Sequence, residues 1–157
     1  MQFKLSEILR KTNLILFENE ITKFDFLNKF LNSKTKLVYI DIDLFISGYI
    51  KSGFIKTTNI DLFIMDDIEK SLTEAILNVD NSIVIFDSID TFSLLYGEHL
   101  LSIYFSILYV HTNKIVAISK KIIMDKVFDV IIDIDKRNIV KHPTLSGLEF
   151  DYHQSIE

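Results

Sequence analysis

Short runs of uninterrupted apolar residues, each followed by a longer amphipathic stretch, constrain the fold of this chain more than any other feature. The runs predict strands at residues 13–17, 37–40, 60–65, 82–86, 114–118 and 127–134. The stretches between them predict helices at residues 23–31, 44–53, 68–79 and 96–111. Strands without polar alternation are typical of a parallel sheet that helices cover on both faces. The alternation therefore predicts an α/β fold with a doubly wound, mostly parallel sheet.

The chain carries few residues that would mark a domain boundary. It has 157 residues, with four glycines and one proline, and no segment has the composition of a flexible linker. A chain of this length buries a full core as one unit. We therefore expect a single domain over residues 1–157, which ends in a C-terminal β segment built from residues 139–140 and 148–152.

Composition and charge exclude several classes of function. The absence of cysteine rules out disulfides, thiolate catalysis and cysteine-ligated zinc. The net charge of −5, without a basic stripe, argues against general nucleic-acid binding, although a local basic edge stays open at Lys136, Arg137, Lys141 and His142. No apolar stretch reaches the roughly 20 residues that span a bilayer, so we expect a cytoplasmic protein with no membrane partner.

Acidic residues follow two of the predicted strands. Asp41 and Asp43 come after the strand at residues 37–40, and Asp87 ends the strand at residues 82–86. Ligands of doubly wound sheets gather at the carboxyl ends of the strands, and carboxylates there are suitable ligands for Mg²⁺. The alternative is that these side chains cap helices and bind loop amides. The pattern leaves magnesium binding open and does not require it.

Histidine and serine chemistry is less well supported. His99 and His111 share a predicted helix but lie roughly 120° apart around it, and His142 and His153 have no ligand spacing. Ser88 follows Asp87 directly, but the chain has no Gly-x-Ser-x-Gly elbow that would identify a nucleophile. We expect these histidines to be ordinary surface or core residues and identify no catalytic residue.

The order of elements resembles the ATPase core of the RecA superfamily, which includes the KaiC-type proteins. Residues 81–89 look like the Walker B strand of that family, with Asp87 at the position of the aspartate that assists Mg²⁺ and Ser88 after it. Residues 37–43 resemble the strand that ends near the catalytic glutamate, here with Asp41 and Asp43 and no glutamate. Residues 113–120, 128–133 and 147–152 are similar to the later strands, so the resemblance covers residues 13–152.

One departure from the RecA pattern decides what the resemblance implies. The first strand should run into a glycine-rich phosphate-binding loop, but the chain has Glu18, Asn19 and Glu20 there, with Lys23 as the sole basic candidate. A backbone without glycine does not form the tight cradle of amides that binds phosphate, and the two carboxylates repel an anion. The resemblance thus implies a subunit without ATPase activity, similar in kind to the Elongator accessory subunits, that acts in protein assembly or regulation. No cofactor is expected of such a subunit.

Two other interpretations use the same acidic residues. In a receiver-like signalling domain, Asp41 and Asp43 would form the acidic pair, Asp87 would accept phosphate, and Ser119 and Lys120 would lie near the switch. In a magnesium-dependent enzyme, the carboxylates would act on a phosphate-containing substrate. The order of the strands in the sheet distinguishes the RecA-like interpretation from the receiver-like one, because the RecA-type order places the strand near residue 115 between those near residues 14 and 85.

A subunit of this kind needs a surface that binds a partner, either another protein or a second copy. Five aromatic residues lie outside the predicted buried runs: Phe45, Tyr49, Phe54, Phe92 and Tyr96. An exposed aromatic cluster at the strand ends would mark an interface. The alternative is that these rings fold back as local core.

Overall fold

The computed structural model describes residues 4–31, 36–52, 60–64 and 68–150, and these form one α/β unit around a single sheet. In chain order the strands are β1 (Thr12–Leu16), β2 (Leu37–Asp41), β3 (Ile60–Ile64), β4 (Ile83–Asp87), β5 (Lys114–Ser119), β6 (Val130–Asp133) and β7 (Asn138–Lys141). The sheet order is β3-β2-β4-β5-β1-β6-β7. Neighbours from β3 to β6 are parallel, and β7 joins β6 antiparallel.

Helices cover both faces of this sheet. They are α1 (Leu5–Ile8), α2 (Glu20–Leu31), α3 (Phe45–Lys51), α4 (Ile68–Ile76), α5 (Ile89–Tyr96) and α6 (Glu98–His111), with a 3₁₀ turn at Asp125–Val127. Residues of α1, α2 and α3 pack against one face, and residues of α4, α5 and α6 pack against the other. The predicted doubly wound α/β fold is confirmed.

The two faces are built from alternate residues of each strand. In β4, Ile83 and Ile85 enter the core under α2, whereas Val84 and Phe86 enter the core under α6. Every residue of β4 is buried, as are all residues of β1 and β2. Continuous burial explains why these strands show no polar alternation in the sequence.

The predicted strand order is also observed, since β5 lies between β1 and β4. The strands and most helices begin and end close to the predicted residues. The long helix predicted at residues 96–111 differs: it begins at Glu98, and a separate helix, α5, precedes it. Gly97, with φ of 90°, separates the two helices in a backbone conformation that other residues rarely adopt.

The C-terminal β segment is observed in part, and residues 151 and 152 of the predicted strand lie outside the described residues. The strand at 139–140 exists as β7, but residues 148–150 make one isolated bridge, between Asn138 and Glu149, and no strand. This segment still bonds to the backbone beside β7: the Ile139 amide donates to the Leu148 carbonyl, and the Phe150 amide donates to the Arg137 carbonyl. Gly53, the predicted last residue of the helix at residues 44–53, lies outside the described residues.

A buried histidine ties α1 to the turn after β7. The His142 Nε2 lies 3.0 Å from the Ile8 carbonyl oxygen, and its Nδ1 accepts hydrogen bonds from the backbone amides of Thr144 and Leu145. These contacts require the neutral ring with its proton on Nε2. Burial lowers the pKa of His142 below its ordinary value of 6.5. Because His142 is buried, the small basic edge predicted from the sequence lacks this residue.

None of the helices in the described part of the chain combines the length and the apolar character needed to cross a bilayer.

Candidate functional site: the carboxyl edge of the sheet

A cleft of about 170 Å³ opens where β1, β2, β4 and β5 end. Phe17 and Phe45 contribute apolar walls, and Ser88 and Thr91 contribute hydroxyl groups. The charged residues that line it are Glu20, Lys23, Asp43, Asp90 and Lys120. The cleft occupies the place where doubly wound sheets bind ligands. Of the residues that the sequence singled out, the following line the cleft together: Glu20, Lys23, Asp43, Phe45, Ser88 and Lys120.

A buried ion pair closes the floor of this cleft. The Lys23 ammonium, on the first turns of α2, lies 2.7 Å from Oδ1 of Asp87, and the two side chains are 3% and 0% exposed. The ammonium also lies over two aromatic rings, 4.7 Å from the Phe17 centroid and 4.1 Å from the Phe45 centroid. A lysine in this position supplies the positive charge that a buried carboxylate requires.

Tyr39 completes the group around Asp87. Its hydroxyl donates a hydrogen bond of 2.5 Å to the second carboxylate oxygen, Oδ2. Burial raises the pKa of Asp87, and the ammonium of Lys23 opposes that rise. Burial also raises the pKa of Tyr39 well above 10, with the negative charge of Asp87 adding to the effect. The tyrosine therefore stays protonated, and both carboxylate oxygens of Asp87 have a donor from within the protein.

The other two predicted metal ligands have separate structural roles. Asp41 accepts hydrogen bonds from the backbone amides of Phe45 and Ser47 at 3.0 and 3.1 Å, and from the Ser47 hydroxyl at 2.7 Å. It thus binds the free amides at the start of α3, as a capping side chain does. Asp43 accepts a hydrogen bond of 3.4 Å from the Thr91 hydroxyl near the surface.

The hypothesis of a magnesium site at Asp41, Asp43 and Asp87 is not supported by this geometry. Within the described ranges, no three acidic or histidine side chains converge in a way that could hold a metal ion. The physical reason is that Asp87 faces Lys23 and Tyr39, while Asp41 faces the helix amides. A cation would have to displace Lys23, which already supplies the charge.

The position of the phosphate-binding loop is filled by a short turn and a capped helix. Three residues separate β1 from α2, and the Asn19 side chain accepts hydrogen bonds from the amides of Ile21 and Thr22 at 2.8 and 3.4 Å. The Glu18 amide donates to Asp135 at 2.5 Å, and the Lys23 amide donates to the Asn19 carbonyl. Four of the backbone amides in this turn, which could otherwise bind a phosphate at the helix N-terminus, are therefore already bonded.

Ser88 has a strained backbone and a bonded hydroxyl. Its φ of 63° places it in the left-handed region, and its hydroxyl donates to Oδ1 of Asp87 at 3.1 Å. Because that carboxylate is paired with Lys23, the pair Asp87 and Ser88 supports the cleft floor and does not present an activated nucleophile.

The predicted interface aromatics divide into three groups. Phe92 is fully buried under α6, so the prediction that it is exposed is wrong; it packs edge-on against Phe86. Phe45 and Tyr49 are partly buried against the core, where Tyr49 stacks on Phe24 at 4.2 Å, as the local-core alternative predicts. Tyr96 is 41% exposed, and Phe54 lies outside the described residues.

The three histidines in the described part of the chain do not share a site. His99 and His111 lie on α6, where His111 pairs loosely with Asp80 at 3.8 Å, and His142 is buried at the opposite side of the sheet. His153 lies outside the described residues.

Sequence reasoning missed Tyr39 and the exposed apolar side of α6. Tyr39 lies within the apolar strand β2. Its hydroxyl reaches Asp87 because β2 pairs with β4 in the register that places Asp41 beside Asp87. Nothing in the local sequence indicates that partner.

Comparisons with known proteins establish the fold and nothing beyond it. No protein-family model matches the sequence, and the search of curated proteins found no match. Among solved structures, a protein from Pyrococcus horikoshii OT3, known from a structural study, is similar with a TM-score of 0.58 and 14% sequence identity. The match covers 92% of this chain and 94% of the archaeal chain.

Proposed function

We propose that this chain is a non-catalytic RecA-like subunit that acts by binding another protein, either a different subunit or a second copy of itself. The observation that carries the proposal is the buried ion pair between Lys23 and Asp87. In the RecA-like interpretation, Asp87 would assist a nucleotide-bound Mg²⁺ and Lys23 would contact phosphate. Here the two groups neutralise each other.

Binding Mg·ATP in the usual way would require the ion pair to break. The ammonium would have to leave a carboxylate at 2.7 Å, and Asp87 would lose the charge that offsets its burial. Removing one partner of such a pair costs about 3–5 kcal/mol, equivalent to a loss of roughly 10²–10³ or more in affinity. The capped N-terminus of α2 adds to this cost, because the amides of Ile21 and Thr22 would also need new partners.

The receiver-like interpretation meets the same obstacle. Asp87 would have to be accessible for phosphorylation, but its side chain is fully buried with both oxygens bonded. The interpretation as a magnesium-dependent enzyme loses its ligands to Lys23 and to the start of α3. A role that uses the surface of the fold remains the best supported.

Isothermal titration of the full chain with Mg·ATP tests the proposal. We expect no saturable heat with a dissociation constant below about 1 mM, and no shift in melting temperature with Mg²⁺ alone. The variant Lys120→Ala serves as a control for weak anion binding, because this exposed lysine lines the same cleft but is not the partner of Asp87. A micromolar dissociation constant for Mg·ATP in the wild type would overturn the proposal.

A further inference from the structure

Helix α1 lies in residues 4–9, and among the described residues a single hydrogen bond joins this segment to the chain beyond residue 10. The bond links the Ile8 carbonyl oxygen to Nε2 of His142 at 3.0 Å. The other hydrogen bonds of the segment stay within residues 4–10. A helix of four residues is not stable by itself, so the position of α1 depends on this bond and on its buried apolar side chains. Those side chains are Leu5, Ile8 and Leu9.

The same imidazole ring organises the turn that follows β7. Its Nδ1 accepts hydrogen bonds from the backbone amides of Thr144 and Leu145, at 3.1 and 3.0 Å. The Ser146 hydroxyl closes the turn, since it accepts from the His142 amide at 2.8 Å and donates to the His142 carbonyl at 2.9 Å. One neutral ring, with its proton on Nε2, therefore holds both α1 and the turn at residues 142–146.

A protonated ring does not fit this arrangement. Both nitrogens of an imidazolium are donors, so a proton on Nδ1 would face the two amide N–H groups of Thr144 and Leu145. The Thr144 hydroxyl lies 3.4 Å from Nδ1 and could accept that proton, but both amides would still lose their acceptor. The Ile8 carbonyl would keep its bond, because Nε2 donates in either state. Protonation therefore disrupts the side of the ring that faces the turn, and a buried amide without an acceptor is destabilising.

The charged groups around His142 do not compensate a positive ring. Arg10, next to α1, carries a positive charge that opposes protonation. On α1, the Glu7 carboxylate accepts from the backbone amide at the start of its own helix. On β7, the Lys141 ammonium bonds a carbonyl oxygen of the 3₁₀ turn, and Glu149 is exposed. No carboxylate in the described part of the chain forms an ion pair with His142. Burial lowers the pKa of His142, and Arg10 adds to this against the opposing bond from the Ile8 carbonyl.

We propose that protonation of His142 drives its ring out of this site, which opens the turn at residues 142–146 and detaches α1 while the sheet stays folded. A ring in water binds its proton with the ordinary pKa of 6.5, and the docked ring binds it less tightly. The detached state is therefore favoured increasingly as the pH falls below about 6.5. Detachment exposes the apolar side chains of α1, so this contact makes an apolar surface depend on mildly acidic pH. The inference does not depend on the proposed function.

Amide hydrogen exchange of the full chain, followed by NMR at pH 7.5 and pH 5.5, measures this opening directly. After correction for the intrinsic exchange rates, the opening constants at the amides of Leu9, Thr144 and Leu145 should rise severalfold at the lower pH. The upper limit is about tenfold, because pH 5.5 lies one unit below the ordinary pKa of 6.5. The amides of β4 should stay at least about tenfold better protected than these three at both pH values, since local opening leaves the sheet folded.

Two variants separate His142 from the other histidines. His142→Gln keeps a donor and an acceptor but does not titrate, so its opening constants should be the same at pH 7.5 and pH 5.5. His99→Gln is the control, because His99 is exposed on α6 against the opposite face of the sheet, and the opening of α1 should keep the pH dependence of the wild type. A second measurement needs no variant: in the wild type, the His142 ring signals should titrate over the same pH range in which the Thr144 and Leu145 amides lose protection.

Three results would overturn the inference: opening constants at Leu9, Thr144 and Leu145 that do not change with pH, protection of these amides equal to that of β4 at pH 5.5, or an equal rise in His142→Gln. None of these results bears on nucleotide binding. Conversely, tight binding of Mg·ATP would overturn the proposed function without changing the exchange measurement.

Discussion

Replacing Lys23 by methionine tests whether the buried ion pair holds the carboxyl edge of the sheet together. At 2.7 Å the gross attraction between Lys23 and Asp87 is about 6 kcal/mol for an effective dielectric constant of ~20. Burial of the two ions costs several kcal/mol each, so the net contribution of the intact pair is small. The loss of one partner is different, because Asp87 would remain in the core with only the hydroxyl groups of Tyr39 and Ser88 as donors.

We therefore expect Lys23→Met to lower the free energy of unfolding by about 3–5 kcal/mol, measured by urea denaturation at pH 7. Asp87→Asn should have a cost of similar size, since it leaves the lysine buried without a counter-charge. The double variant should cost less than the sum of the two single variants by about 2 kcal/mol or more, which a double-mutant cycle measures directly. Lys120→Met is the control, because this exposed lysine lines the same cleft, and we expect a cost of at most about 1 kcal/mol.

The pH dependence gives an independent check of the same reasoning. Burial raises the pKa of Asp87, and removing Lys23 takes away the group that opposes this rise. A carboxyl with a higher pKa in the folded state binds its proton more tightly there than in the unfolded chain. The stability of Lys23→Met should therefore fall relative to the wild type as the pH rises from 4 to 7. A loss below 1 kcal/mol at pH 7, with no dependence on pH, would refute the argument.

Two further predictions concern the edges of the fold. The free energy of unfolding should fall as the pH is lowered from 7 to 5, because the lowered pKa of His142 means that the unfolded chain takes up the proton first. Chemical denaturation across this range should show a weaker pH dependence in His142→Gln than in the wild type, and an equal dependence in both would contradict this reasoning. Asp41→Ala should lower the free energy of unfolding by about 2 kcal/mol, because the hydrogen bonds at the start of α3 are lost, and Ser47→Ala should lower it by about 1 kcal/mol. If urea denaturation shows that both variants are as stable as the wild type, Asp41 does not cap α3.

The sequence was sufficient to predict the class of fold, because a strand that is buried on both faces is apolar at every position. Runs such as the one in β4 are apolar at every position, and this pattern follows directly from helices on both faces. The position of β5 between β1 and β4 was also predicted, through the resemblance to RecA-type proteins. Kinship with that superfamily stays a proposal, since 14% identity to a solved structure shows the fold alone.

The site was predicted in part. The sequence identified Lys23 and Asp87 separately, the first as the sole basic residue at the missing phosphate loop and the second as the end of a Walker B-like strand. The sequence left open whether Asp41, Asp43 and Asp87 form one group of metal ligands or bind donors from the protein. Their spacing in the sequence is compatible with a common site, but the direction of each side chain depends on which donor lies nearest in the folded chain.

Exposure of the helices was predicted least well. Phe92 and Tyr96 lie four residues apart on the same side of α5, with their ring centroids 5.1 Å apart, yet Phe92 is fully buried and Tyr96, the last residue of the helix, is 41% exposed. What the sequence determined by itself was local: apolar runs, helix periodicity, and the absence of a glycine-rich loop. Only the tertiary structure decided which charges meet and which apolar side of α6 is left uncovered. The physical reason is that these properties depend on contacts between residues far apart in the chain, such as Lys23 and Asp87, which are 64 positions apart. No local pattern in the sequence indicates such a contact.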